Sequence, residues 1–141
     1  MPLFRSRAPR STTPIVATVL VVDDDLIVGR SLCRALNALR PDFRVDFAMS
    51  GDAALSMLAA ARYDVVVTDL EMGRVSGTDL LQILARDYPR VGRIVHSSHI
   101  EPGQMDELRH LVHGAIEKPA RPGDVLEAVE QILRGWPAQG A

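Results

Sequence analysis

The run "TVLVVD" (residues 18–23) is a short β-branched apolar stretch that stops abruptly at acids. A strand buried on both faces has this character, because a half-buried strand would alternate apolar and polar side chains. The pattern returns at "DVVVTD" (64–69), which also ends in an acid. Such strands belong to parallel sheets whose two faces are covered by helices, so the intervening segments should be helical.

The spacing predicts this. From Asp25 onward Val28, Leu32, Leu36 and Leu39 fall on one helical stripe, and Pro41 marks the stop. "FRVDFAM" (43–49) alternates as a strand exposed on one side, and "DAALSMLAAA" (52–61) has high helix propensity. "GTDLLQILARD" (77–87) reads as a helix closed by Pro89, followed by a strand at "VGRIVHSS" (91–98). A helix over 102–112 has Pro102 in its first turn, "GAIEK" (114–118) is a short strand, and 122–135 is a helix with Val125, Leu126, Val129, Ile132 and Leu133 facing inward. Five strand–helix units imply an open, doubly wound α/β sheet with helices on both faces. All strands then point the same way, and ligands bind along the edge formed by their C-terminal ends.

Composition narrows the classes. The chain has 141 residues, 47% of them hydrophobic, which suits one globular domain with its own core. A formal net charge of −2 gives no overall basic field for nucleic acid. Cys33 is the sole cysteine, so no internal disulfide can form, and a reducing, cytoplasmic setting is expected. No apolar stretch approaches the roughly 18 residues of a membrane span. The leader, residues 1–16, is acid-free and carries Arg5, Arg7 and Arg10. It has three prolines and no amphipathic face, so it reads as a flexible tail rather than a transit peptide. Residues 136–141, including Trp136, read as a short C-terminal tail.

The predicted edge gathers the polar residues. Strand one ends in Asp23-Asp24-Asp25, strand three in Asp69, strand four in Ser97-Ser98 and strand five in Lys118, the single lysine among sixteen basic residues. Two like charges about 4 Å apart repel by roughly 4 kcal/mol at intermediate effective dielectric, so clustered carboxylates call for a cation. Three carboxylates without a nearby His or Cys suit a hard, oxygen-seeking ion, with Mg²⁺ the best fit and Mn²⁺ an alternative. Beside such an ion one carboxylate can act as nucleophile toward a phosphoryl group. Ser97 could donate to one phosphoryl oxygen, and Lys118 could set a compact charge beside another, which the planar fork of arginine would not do in the same way.

The order "VLVVDDD", "VVVTDLEMGRVSG", "RIVHSS", "EKP" resembles the receiver domain of bacterial response regulators over about residues 17–135. The resemblance implies a flavodoxin-like strand order of 2-1-3-4-5. It makes Asp23 and Asp24 the acidic pair, leaving Asp25 to cap the helix, and makes Asp69 the phosphoacceptor. It also implies a metal held by Asp23, Asp24, Asp69 and the Glu71 backbone carbonyl, with Ser97 and Lys118 on the phosphoryl group and a cis Lys118–Pro119 bond. Glu71 and His99 would line the approach of the hydrolytic water. The implied partners are a sensor histidine kinase or phosphotransfer protein and a downstream protein, with neither nucleic acid nor membrane. The protein would be a signalling phosphoprotein rather than an enzyme, catalysing its own phosphorylation and dephosphorylation. The short tail leads us to expect a stand-alone receiver that signals by protein contact or relays the phosphoryl group.

The sequence also departs from the family pattern. Gly73 stands where a proline is usual, Ala115 where many receivers carry a switching aromatic, and Ala120 where a Phe often follows "KP". The alternatives are a phosphorylation-independent adaptor on the same fold and a haloacid-dehalogenase-like phosphatase. The latter needs a further acidic strand after Lys118, where Asp124, Glu127 and Glu130 fall on a predicted helix, and it leaves Asp69 without a role. A flavin carrier is disfavoured because the acidic loop after strand one would repel the cofactor phosphate. His96, His99, His110 and His113 have H-x-x-H spacing, yet His96 should point away from Ser97 and the second pair straddles a helix end, so a zinc site there is disfavoured.

Overall fold

The computed structural model describes residues 14–135; the three leader arginines and Trp136 lie outside the described residues. The chain alternates β1 (Ala17–Val22), α1 (Leu26–Leu39), β2 (Phe43–Ala48), α2 (Gly51–Ala60), β3 (Val65–Thr68), α3 (Gly77–Asp87), β4 (Gly92–Ser97), α4 (Pro102–Leu108), β5 (Gly114–Glu117) and α5 (Pro122–Gly135). The sheet is wholly parallel with order β2-β1-β3-β4-β5, the flavodoxin-like arrangement.

Strand alternation splits the core between the two faces. Val19, Val21, Val65, Val67 and Ile94 meet Leu32 and Leu36 of α1 and Val125, Val129 and Ile132 of α5. The intervening residues Leu20, Val22 and Val66 meet Leu58 of α2 and Leu80 and Leu84 of α3. Both sides of β1 and β3 are therefore dry, which is why these strands read as unbroken apolar runs. Each fully buried side chain of this size contributes roughly 1.5–3 kcal/mol.

Three details differ from the expectation. The strands end earlier, so Asp23 and Asp69 stand one residue beyond the last residues of β1 and β3. Leu39 is 51% exposed instead of closing the α1 stripe. Arg40, bound by Asp42 and Glu130, lies over the Phe43 ring 4.2 Å from its centroid and covers that end of the core. The helix expected over 102–112 stops at Leu108. There Leu111 and Val112 both turn their amides back to the Leu108 carbonyl, and the buried Arg93 guanidinium takes the Leu111 carbonyl at 2.7 Å. That arginine also binds the Val91 carbonyl at 3.0 Å, so it ties the turn after α4 to the chain entering β4.

The loop after β3 returns so closely on itself that a Cβ at Gly77 would lie 1.9 Å from the Asp69 carbonyl oxygen and 2.6 Å from the Leu70 Cα. Both obstacles are backbone and cannot swing aside. Gly77→Ala is expected to lower the unfolding free energy in urea by at least about 2 kcal/mol. Gly73→Ala, with nothing within 4 Å of its Cβ, should stay within about 0.5 kcal/mol of the parent. Equal losses for the two would refute this account of the loop.

Candidate functional site

Because the strands are parallel, the residues at or just beyond the C-terminal ends of β1, β3, β4 and β5 converge on one edge. The sheet holds their main chains: the Asp23 amide donates to the Ala48 carbonyl (3.1 Å), that of Asp69 to Val22 (3.0 Å) and that of Lys118 to Ser97 (2.8 Å). The Lys118–Pro119 peptide is cis, as the family resemblance implies.

Asp23 is buried at 3% exposure. Its Oδ1 accepts from the Asp25 amide (2.9 Å) and its Oδ2 from Lys118 Nζ (2.7 Å). Asp25 faces the other way and caps α1, accepting from the amides of Ile27 and Val28. Asp24, between them, is exposed. Asp69 is engaged on both oxygens. Oδ1 accepts from Ser97 Oγ (2.9 Å) and from the amides of Leu70 (2.7 Å) and Glu71 (3.3 Å). Oδ2 accepts from Lys118 Nζ at 3.2 Å.

The ammonium of Lys118 thus bridges two carboxylates, with 14% of its side chain exposed. Burial disfavours its charged form, but the hydrogen bond it donates to Asp23 and the charges of Asp23 and Asp69 outweigh that, so its pKa is raised above the ordinary lysine value. Carboxylate oxygens of Asp23, Asp24 and Asp69 lie within 4.8 Å of one another. With one ammonium against three carboxylates the edge keeps an excess of negative charge, and an all-oxygen donor set of this kind suits a hard divalent cation.

The structure brings the side chains of Asp23, Asp24, Asp69, Ser97 and Lys118 together at this edge, while Asp25 turns away to cap α1, and two features go beyond the sequence reading. Lys118 sits nearer Asp23 than Asp69. The amides of Leu70 and Glu71, and the Thr68 hydroxyl that donates to the Asp69 carbonyl (2.8 Å), were not anticipated, because a side-chain pattern carries no sign of where backbone amides will point. Among the described residues the three aspartates are the sole group of three or more His, Cys, Asp or Glu side chains close enough to share an ion. His113 Nδ1 instead accepts from the Arg93 amide at 2.9 Å. The exposed His99 ring lies 2.6 Å from Glu101, and that hydrogen bond raises its pKa. Cys33 is half-buried against the core, where burial pushes its thiol pKa up to about 11, so it is not a reactive thiolate.

Comparison with known proteins agrees with the geometry. Residues 19–130 match the model of the response regulator receiver domain. The chain is 35% identical over 118 residues to a protein-glutamate methylesterase/protein-glutamine glutaminase of Nocardioides sp., covering 81% of this chain and 32% of that protein. It is 37% identical over 124 residues to the aerobic respiration control sensor protein ArcB of Escherichia coli, covering 86% of this chain and 15% of that protein. It therefore spans about a third or less of the length of these relatives. Among solved structures, FixJ-N superposes with a TM-score of 0.76 at 31% identity, covering 86% of this chain and 97% of that one. A receiver domain protein from Methanospirillum hungatei shares the fold, with a TM-score of 0.78 at 22% identity over 84% and 94% of the two chains. With its parallel sheet ordered 2-1-3-4-5, its acidic edge and this match over most of its length, the chain belongs to the response regulator receiver domains of two-component systems.

Proposed function

We propose that the domain accepts a phosphoryl group on Asp69 from a phosphohistidine of a sensor histidine kinase or phosphotransfer protein, and then signals by contact with a protein partner or passes the group on. The observation that carries this reading is the Lys118 ammonium shared between Asp23 (2.7 Å) and Asp69 (3.2 Å), with Ser97 Oγ on the other Asp69 oxygen at 2.9 Å. A nucleophile flanked by a mobile point charge and a hydroxyl donor is what the three equatorial oxygens of a transferring phosphoryl group require. Similarity to segments of a methylesterase and of a sensor protein fits a module whose output depends on what it contacts.

Asp23, Asp24, Asp69 and the Glu71 carbonyl would hold Mg²⁺ or Mn²⁺. The exposure of Asp24 leaves room for such an ion to keep some of its waters. When bound, the ion supplies neutralising charge to the phosphoryl oxygens. The rest falls to the protein. An Asp69 carboxylate oxygen forms the new O–P bond while the N–P bond of the donor breaks. The electron pair returns to the donor ring nitrogen, and a solvent proton completes the neutral imidazole. Ser97 leaves Asp69 and donates to one phosphoryl oxygen, and Lys118 follows the new charge. The phosphatase alternative finds no support, since Asp124, Glu127 and Glu130 all lie on α5.

Incubation with Mg²⁺ and a small-molecule phosphodonor should add one acid-labile phosphoryl group by intact mass. The adduct should disappear with Asp69→Asn or with chelator. A wild-type chain that gains no adduct would favour the phosphorylation-independent adaptor instead.

Removing the bridging charge should expose its structural share. In chelator, Lys118→Met is expected to lower the unfolding free energy by about 3 kcal/mol, because two largely buried carboxylates lose their partner. Millimolar Mg²⁺ should then raise the melting temperature of the variant more than that of the parent. Equal stability of the two proteins in chelator would show that the bridge does not hold the edge together.

A further inference from the structure

Beside the acidic edge, a cleft of about 620 Å³ opens between the start of α1 and the connection from β5 to α5. That volume lies within the roughly 300–1,000 Å³ of small-molecule pockets. Ile27, Val28 and Leu32 form one wall, Pro119 and Ala120 the other, and His96 lines the cleft between them. Ala120 puts only a methyl group on that wall.

His96 sets this cleft apart from an ordinary apolar groove. It precedes Ser97 on β4, so strand alternation sends it away from the acids and toward α1. It is 7% exposed, yet its ring nitrogens have no hydrogen-bond partner among the described residues. Buried polar groups are rarely left so. Burial, followed by the nearby charge of Lys118, lowers its pKa, which keeps the imidazole neutral with one donor and one acceptor nitrogen. The charge around the cleft selects further. Lys118 is the one charged residue lining it, and its ammonium is already held by Asp23 and Asp69. The adjoining edge carries three carboxylates, which disfavours an anion.

We propose that this cleft binds a small neutral ring compound bearing one hydroxyl or ring N–H, held by apolar contact with Ile27, Leu32 and Ala120 and by a hydrogen bond to the His96 imidazole. The proposal does not depend on phosphoryl acceptance at Asp69.

The test is titration of the ¹⁵N-labelled full chain with indole and, separately, with phenol, followed by amide shifts. Saturable shifts confined to the start of α1, His96 and residues 118–122 are expected for at least one probe. Ala120→Phe should weaken that binding at least tenfold by filling one wall, and Ser31→Phe should do so from the opposite wall. His96→Phe, which keeps the ring but loses its nitrogens, should weaken it about tenfold. The dispersion of the same spectra reports folding, so if one blocking variant misfolds the other decides. Absence of saturable shifts with both probes, shifts centred elsewhere, or unchanged affinity in the folded blocking variants would overturn the proposal. Unchanged affinity in His96→Phe would overturn the role of the imidazole.

Discussion

The Lys118 ammonium between Asp23 and Asp69 is the interaction on which the functional edge depends. Three carboxylates within 4.8 Å would repel one another, and the sheet alone offers them no relief. The lysine comes from β5, at the far side of β4 from the acids it meets. Its main chain is anchored by the bond from its amide to Ser97, so the residue that neutralises the acids is fixed to the residue that donates to Asp69. One register therefore sets both the charge and the hydroxyl. A guanidinium has the same charge, but its planar fork and rigid donor directions suit one carboxylate held face on better than two carboxylates on different strands.

Much of this could be read from the residues alone, and the physical reason is local. Unbroken Val and Leu runs at 19–22 and 65–67 have one stable environment, the middle of a sheet covered on both faces. Pro41 and Pro89 bar helix continuation wherever the chain later goes. Once the strands are parallel, topology brings Asp23, Asp69, Ser97 and Lys118 to one edge without further information. What stayed hidden was decided by tertiary contact. The turn after α4 is held by Arg93, which reaches the Leu111 carbonyl from far back in the chain, and Arg40 rather than Leu39 lies over Phe43. The amides of Leu70 and Glu71 that grip Asp69 follow from a loop that folds only because Gly77 has no Cβ.

That loop also explains how rigidly Asp69 is held. Its carbonyl is met by the Thr68 hydroxyl and nearly touched by Gly77, while its carboxylate takes three donors on one oxygen. A carboxylate fixed in this way would lose little freedom in the proposed transfer, and such pre-organisation is where positioned groups gain rate. Ser97 and Lys118 hold Asp69 through side chains alone, so neither contact depends on the backbone amides that grip its Oδ1.

The alanines at 115 and 120 then acquire a physical meaning. Ala115 is exposed on β5 and has no bulk with which to move when charge at the edge changes. Ala120 leaves the cleft over His96 open, and Lys118 and Pro119 form part of its lining. Lys118 thus has its ammonium on the acids and its stem against the cleft. A ligand packed against that stem would bear on where the ammonium can go, and a new negative charge at the edge would bear on the wall of the cleft. Coupling between two sites is reciprocal in free energy, so any such effect would run in both directions through the one residue, Lys118, that the edge and the cleft share.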